Sequence, residues 1–364
     1  MTSKELVMTA LNFKTPERVP RFEYFDEFGI GREFADIWHE EKGFGPEIDI
    51  YDYYNIDIKI AVGDEGLMPT RTELLEQTPE YSITRNSWGE VIRRSTGDAF
   101  YKPLEVPLKE KSDLKTIHVD PPDLDLRYQN LDQQMDQLKQ RYCVFVKTGG
   151  PFIRSSFVRG DAQLLTDMAG DPQFAKELFM FMARHLTEIG LEQLRRWDLY
   201  ETGVWIYDDM ASVRGPIFSP QMAEQLLAPA WEYMITTYKQ AGAQKVYLHS
   251  DGDIRPLLDL FIDIGFEGIN PVEPRAGMDV VELRKKYGEK LGLVGGLDNS
   301  VILPRGDRDE VRAHVQRCLS IAKEGGYVIG AHTIGPDISV TTYDYVSELI
   351  DEYDRRKLGY SKPA

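Results

Sequence analysis

Lys245-Val-Tyr-Leu-His-Ser-Asp-Gly-Asp253 is the stretch on which the reading of the fold turns. Val246, Tyr247 and Leu248 make a short apolar run of strand type. His249 and Asp251 follow two residues apart, and side chains at that spacing in extended backbone share one face. Gly252 then breaks the strand, and a helical pattern begins at Ile254. A strand ending in His-x-Asp-Gly before a helix predicts a barrel with its active site at the strand ends.

Working outward, the same unit recurs. Tyr142–Val146 leads to Lys147-Thr-Gly-Gly-Pro151, Val204–Tyr207 to Asp208-Asp209, and Gly268-Ile269 to Asn270-Pro-Val-Glu273. Leu291–Val294 leads to Gly295-Gly-Leu-Asp298, and Tyr327–Ile329 to Gly330-Ala-His332. Helical periodicity fills the gaps, so about six strand–helix units follow one another, which implies parallel strands with helical crossovers. Candidate strands at Arg21–Phe25 and Ile56–Val62 bring the count to about eight. The predicted fold is α/β, a (β/α)8 barrel with an N-terminal extension; a doubly wound open sheet is the alternative. The whole chain, 1–364, reads as one such domain. Residues 30–130 read as an irregular elaboration with a hairpin at 81–96 and an extended, proline-rich loop at 99–126.

Composition narrows the function classes. A net charge of -17 argues against nucleic acid as a partner, which would call for a basic stripe. The lack of a long apolar run argues against a membrane span, and the Met-Thr-Ser-Lys-Glu-Leu start lacks the apolar core of a signal peptide, so the expected location is cytoplasmic. Cys143 and Cys318 are not read as lying at strand ends, which argues against a thiolate nucleophile or ligand. No glycine-rich nucleotide motif is present.

At the predicted strand ends stand Glu23, Asp26, Asp208, Asp209, His249, Asp251, Glu273, Asp298 and His332, a set that core packing has little use for. His249, Asp251, His332, Asp208 and Asp209 are the candidate catalytic residues. Glu23, Asp26, Tyr207, Glu273 and Asp298 are the candidate substrate contacts. His249, Asp251 and His332 also form a possible donor set for a divalent ion such as zinc, with a coordination position left open. The alternative is a hydrogen-bonded His–Asp pair acting without metal. His185, His314, His39 and His118 read as structural, the first two inside helices and the last two in irregular segments. Adjacent Asp208 and Asp209 must point apart, one toward the barrel mouth and one toward a loop.

From about residue 148 onward the chain resembles the uroporphyrinogen decarboxylase superfamily. The resemblance rests on Gly149-Gly-Pro-Phe, Ser219-Pro220, Leu248-His-Ser-Asp-Gly, Gly268-Ile-Asn-Pro, Gly295-Gly-Leu-Asp298 and Gly330-Ala-His-Thr-Ile-Gly-Pro-Asp337. It implies a (β/α)8 barrel and two competing activities. True uroporphyrinogen decarboxylases carry arginines just after the first strand, where this chain has Glu23-Tyr-Phe-Asp-Glu-Phe-Gly29. Such an acidic lip disfavours a polycarboxylated tetrapyrrole, since like charges at ~4 Å cost ~1 kcal/mol even in water. The other branch is similar to corrinoid-dependent methyltransferases, some of which bind zinc through a His-x-Cys at the position of His249-Ser-Asp251 and a second cysteine near 331–332. Here both thiolates are replaced, leaving a harder oxygen and nitrogen set suited to polarising an oxygen. The expected function is therefore methyl transfer from an oxygen-bound donor to a corrinoid held by a partner protein. A cofactor-independent decarboxylase and a non-catalytic ligand-binding barrel are the alternatives.

Overall fold

The computed structural model describes residues 1–25, 29–97 and 101–360. Seven parallel strands form one curled sheet: β1 (Ile58–Ala61), β2 (Cys143–Gly149), β3 (Gly203–Tyr207), β4 (Lys245–His249), β5 (Gly268–Val272), β6 (Gly292–Gly296) and β7 (Tyr327–Gly330). Their spatial order is their chain order, as consecutive crossovers require. The segment Pro20–Phe22 takes the eighth position. Phe22 N donates to Ile329 O and Ile329 N to Pro20 O on one side, while Asp57 N donates to Arg21 O on the other. The chain is a (β/α)8 barrel.

Strand alternation sorts the apolar side chains into two cores. Phe22, Tyr24, Ile58, Ile60, Cys143, Phe145, Trp205, Tyr207, Tyr247, Val294 and Val328 fill the barrel interior. Trp205 is fully buried there and stacks on Tyr247 with centroids 5.8 Å apart. Helix Ser3–Leu11, closed by a capping box between Thr2 and Glu5, adds Val7 and Leu11 to this cluster as the N-terminal plug. The opposite strand faces pack outward against the crossover helices; Pro172–Trp197 is one of them. Among the described residues, no helix is long and apolar enough to cross a membrane.

The region from 30 to 130 is more regular than its sequence suggests. Helix Gly29–Lys42 buries Phe34, Ala35 and Trp38 along one stripe, so His39 is helical, contrary to the irregular assignment. Two glycines in its first turn, Gly29 and Gly31, hide this helix in the sequence. The hairpin at 81–96 is present as Tyr81–Arg85 paired with Val91–Ser95. It belongs to a four-stranded antiparallel sheet completed by Glu73–Gln77 and Lys102–Glu105. Lys102–Glu105 therefore corrects the extended-loop reading of 99–126. Both outer strands are fully exposed and charged, so they carry no alternation for a sequence to show. A further helix, Pro151–Arg159, follows β2 directly.

Candidate active site

β4 delivers His249 into the barrel mouth, and the turn that follows is held by its neighbours at almost every amide. Asp208 N donates to His249 O and Ser250 N to Asn270 O, each at 2.9 Å. Asp251 N donates to Asp209 Oδ1 at 3.2 Å, and Gly252 N to Glu273 Oε2 at 2.8 Å. Asp253 N donates to Ser212 O at 2.9 Å. Gly252 has φ +83°, and a Cβ there would come within 2.8 Å of the Ala211 and Ser212 backbone, so glycine is required for the turn. Asp209 and Glu273 thus act on Asp251 through the backbone that carries it.

His249 is 5% exposed and lies flat on Tyr207, with ring centroids 4.0 Å apart and planes within 11°. Its Nδ1 stands 2.6 Å from Asn270 Oδ1. Asn270 Nδ2 donates to Val294 O, which leaves Oδ1 as the acceptor and puts the imidazole proton on Nδ1. The Nε2 lone pair is therefore free. It faces Asp251 Oδ1 at 3.7 Å, and His332 Nε2 approaches the same oxygen at 3.3 Å. All three ligand atoms lie within 4.8 Å of one another.

Burial and the neighbouring charged groups set the electrostatics of this triad. Burial, the nearby His332 and the Lys147 ammonium hold His249 well below the usual histidine range, so it is neutral and able to ligate. Burial, with Asp209 and Glu273 adding repulsion, raises Asp251 against the opposing pull of His332. The Asp251 side chain is 41% exposed, yet its Oδ1 is shut off from solvent and has no hydrogen-bond partner. Ligands about 2.1 Å from a shared tetrahedral ion stand about 3.4 Å apart. The two Asp251 distances lie near that spacing and the third is within 4.8 Å, so the chemistry and placement of the three residues are compatible with a divalent metal.

The other candidates fall into distinct places. Tyr207 lines the mouth, its hydroxyl hydrogen-bonded to that of Tyr24. Asp208 turns away from the mouth and is fully buried. Its Oδ1 accepts from Ile153 N at 2.7 Å, and its Oδ2 accepts from Trp231 Nε1 at 2.7 Å and Phe152 N at 3.3 Å. It caps helix Pro151–Arg159, and burial lifts it to about 7. Glu23 lies under β7, accepting from Ala331 N at 2.9 Å and the Tyr343 hydroxyl at 3.0 Å. Its Oε2 is buried without a partner, and burial pushes its carboxyl up to about 8. Asp298 folds back on Ser300 N and Val301 N as a turn cap, apart from the triad. Asp26 lies outside the described residues.

Sequence reasoning missed Asn270 and Lys147. Asn270 is a lone amide in an apolar strand, and Lys147 shares strand parity with the interior residues Cys143 and Phe145. Cys143 does stand at a strand end, but at the N-terminal end, away from the mouth.

Residues 101–353 match the sequence profile described as Uroporphyrinogen decarboxylase (URO-D). No curated protein matches the chain. Among solved structures the chain is similar to a methyltransferase from Methanosarcina mazei, at 17% identity and TM-score 0.68, covering 97% of this chain and 99% of that one. A B12-independent methionine synthase from Shewanella sp. W3-18-1 aligns more loosely, at 11% identity and TM-score 0.46 over 96% of this chain and 99% of that one. The first likeness is one of fold; the second bears no weight for the site.

Proposed function

The chain belongs to the uroporphyrinogen decarboxylase family, and from that premise we propose that it is a methyltransferase. It moves a methyl group from an oxygen-bound donor, an aryl methyl ether or an alcohol, to the corrinoid of a separate protein. The observation that carries this reading is Asp251 Oδ1, a buried oxygen without a hydrogen bond between two imidazoles. His249, Asp251 and His332 would hold a divalent ion, zinc for preference, which when bound supplies Lewis-acid polarisation of the donor oxygen.

The chain's own residues do the rest. Asn270 keeps the His249 proton on Nδ1, and Asp209 and Glu273 fix the Asp251 turn. Tyr207, stacked on His249, and Tyr24, hydrogen-bonded to Tyr207 through the hydroxyls, form the aromatic support beneath the triad. A ligand set without thiolate favours oxygen over sulfur chemistry.

The test is methyl transfer from a panel of O-methyl donors to added cob(I)alamin, followed by the methylcobalamin spectrum. Wild-type protein loaded with zinc forms methylcobalamin and the His249→Ala variant does not. Equal rates in the two would refute the reading. The family itself supports a second reading, a decarboxylase working without cobalamin; carbon dioxide release from a carboxylated substrate by metal-free protein would select it.

A further inference from the structure

We propose that the outer face of helix Pro172–Trp197 pairs with the same face of a second copy of this chain. The two helices run antiparallel about a two-fold axis between Met180 and Phe181. This pairing is independent of the function proposed above.

The helix carries a stripe with a symmetric pattern. Gln173, Glu177, Met180, Phe181, Arg184 and Glu188 follow at steps of four, three, one, three and four residues, which sets them on one face. The four polar members are exposed, and Met180 and Phe181 at the centre are half-buried. Helix Ala228–Ala241 packs alongside, with Tyr238 donating to Leu186 O, and is entered through the wide π turn Ala223–Leu227. Between the two helices lies a groove of about 590 Å³ that Val119, Met180, Phe181, Leu226, Pro229 and Ala230 help to line. A ridge of side chains from another helix fills a groove of this kind.

Charge chooses the occupant and its direction. Turned end over end, the stripe meets its own complement. Met180 comes level with Phe181 of the second copy, Glu177 with Arg184 and Gln173 with Glu188, and symmetry makes each pairing twice. A parallel arrangement would instead set Glu177 on Glu177 and Arg184 on Arg184. The ion pairs of this helix gather near its C-terminal end around Glu192, Arg195 and Arg196. Among the described residues neither Arg184 nor Glu188 has an ionic partner. Glu177 accepts from Gln173 Nε2 through one oxygen at 3.0 Å, which leaves the other for an arginine. Lys176 comes level with position 185, between Arg184 and Glu188 of the second copy, and favours neither direction. The pairing uses the flank of the barrel and not its mouth.

The experiment is sedimentation equilibrium of the full chain over a range of concentrations. Wild type is expected to form a closed two-chain species and nothing larger. Arg184→Glu sets like charges together at two places and should weaken the dimer about tenfold or more. Glu177→Arg should do the same. The double exchange, Glu177→Arg with Arg184→Glu, should restore association, which a folding defect would not. Cross-linking then fixes the direction. Cys143 and Cys318 are both buried, so the background is low. Met180→Cys, beside the axis, should link two chains on oxidation, while Glu188→Cys stands about 22 Å from its counterpart and should not. A wild type that stays monomeric at every concentration, or a dimer unchanged by Arg184→Glu, would overturn the proposal. So would a double variant no tighter than the single ones, or linkage through Glu188→Cys.

Discussion

Asn270 Oδ1 accepts the Nδ1 proton of His249 at 2.6 Å, and this one hydrogen bond decides which imidazole nitrogen faces Asp251. Partners of this kind set the tautomer and orientation of a ligating histidine, and losing one weakens metal affinity by about 10–100-fold. Asn270→Ala should therefore lower zinc affinity by that order while leaving the far-ultraviolet circular dichroism unchanged. Competitive titration against a zinc chelator measures it; unaltered affinity would show that the triad does not depend on this contact.

Asp208 has the opposite profile. Its carboxylate serves two amides of helix Pro151–Arg159 and the Trp231 indole, all buried. Asp208→Ala leaves three donors without an acceptor and should destabilise the fold by about 2–4 kcal/mol. Denaturant unfolding should show that loss while zinc bound per folded molecule stays at the wild-type value. Lost zinc in a protein of normal stability would return Asp208 to the site.

Glu23 predicts a dependence on pH. Its folded carboxyl is raised from 4.5 to about 8 by burial, so the folded state binds the proton more tightly than the unfolded chain does. Its contribution to stability is full below pH 4.5 and falls as pH rises toward 8. Glu23→Gln keeps an oxygen for Ala331 N and removes the ionisation. The melting temperature of the variant should therefore fall less steeply than wild type between those limits, with the largest gap on the alkaline side. Parallel curves would mean that Glu23 is already ionised in the folded protein.

Much of this is legible in the sequence, and the gaps have physical causes. The apolar runs of β3, β4 and β7 are short and bounded by glycine and acids, so the strand ends and His249, Asp251 and His332 stand out. Cys-Val-Phe-Val-Lys is apolar on both faces because a parallel barrel strand is buried on both, so nothing marks Lys147 as an inward residue. For Asp208 and Asp209 the alternation is plain but has no anchor. The stack of Tyr207 on His249 supplies it: Tyr207 faces inward, so Asp208 cannot. Asp298 and Glu23 read as site acids, yet their oxygens meet backbone amides that no sequence pattern reveals.

The methyltransferase proposal depends on a thiolate-free triad, carried by the mouth ends of β4 and β7, holding a metal ion. X-ray absorption at the zinc edge of the loaded protein tests it most directly. The account predicts about one zinc per chain with nitrogen and oxygen neighbours at about 2.0–2.2 Å and no sulfur shell near about 2.3 Å, lost in His249→Ala. Failure to bind zinc stoichiometrically, or a sulfur shell from Cys143 or Cys318, would contradict it.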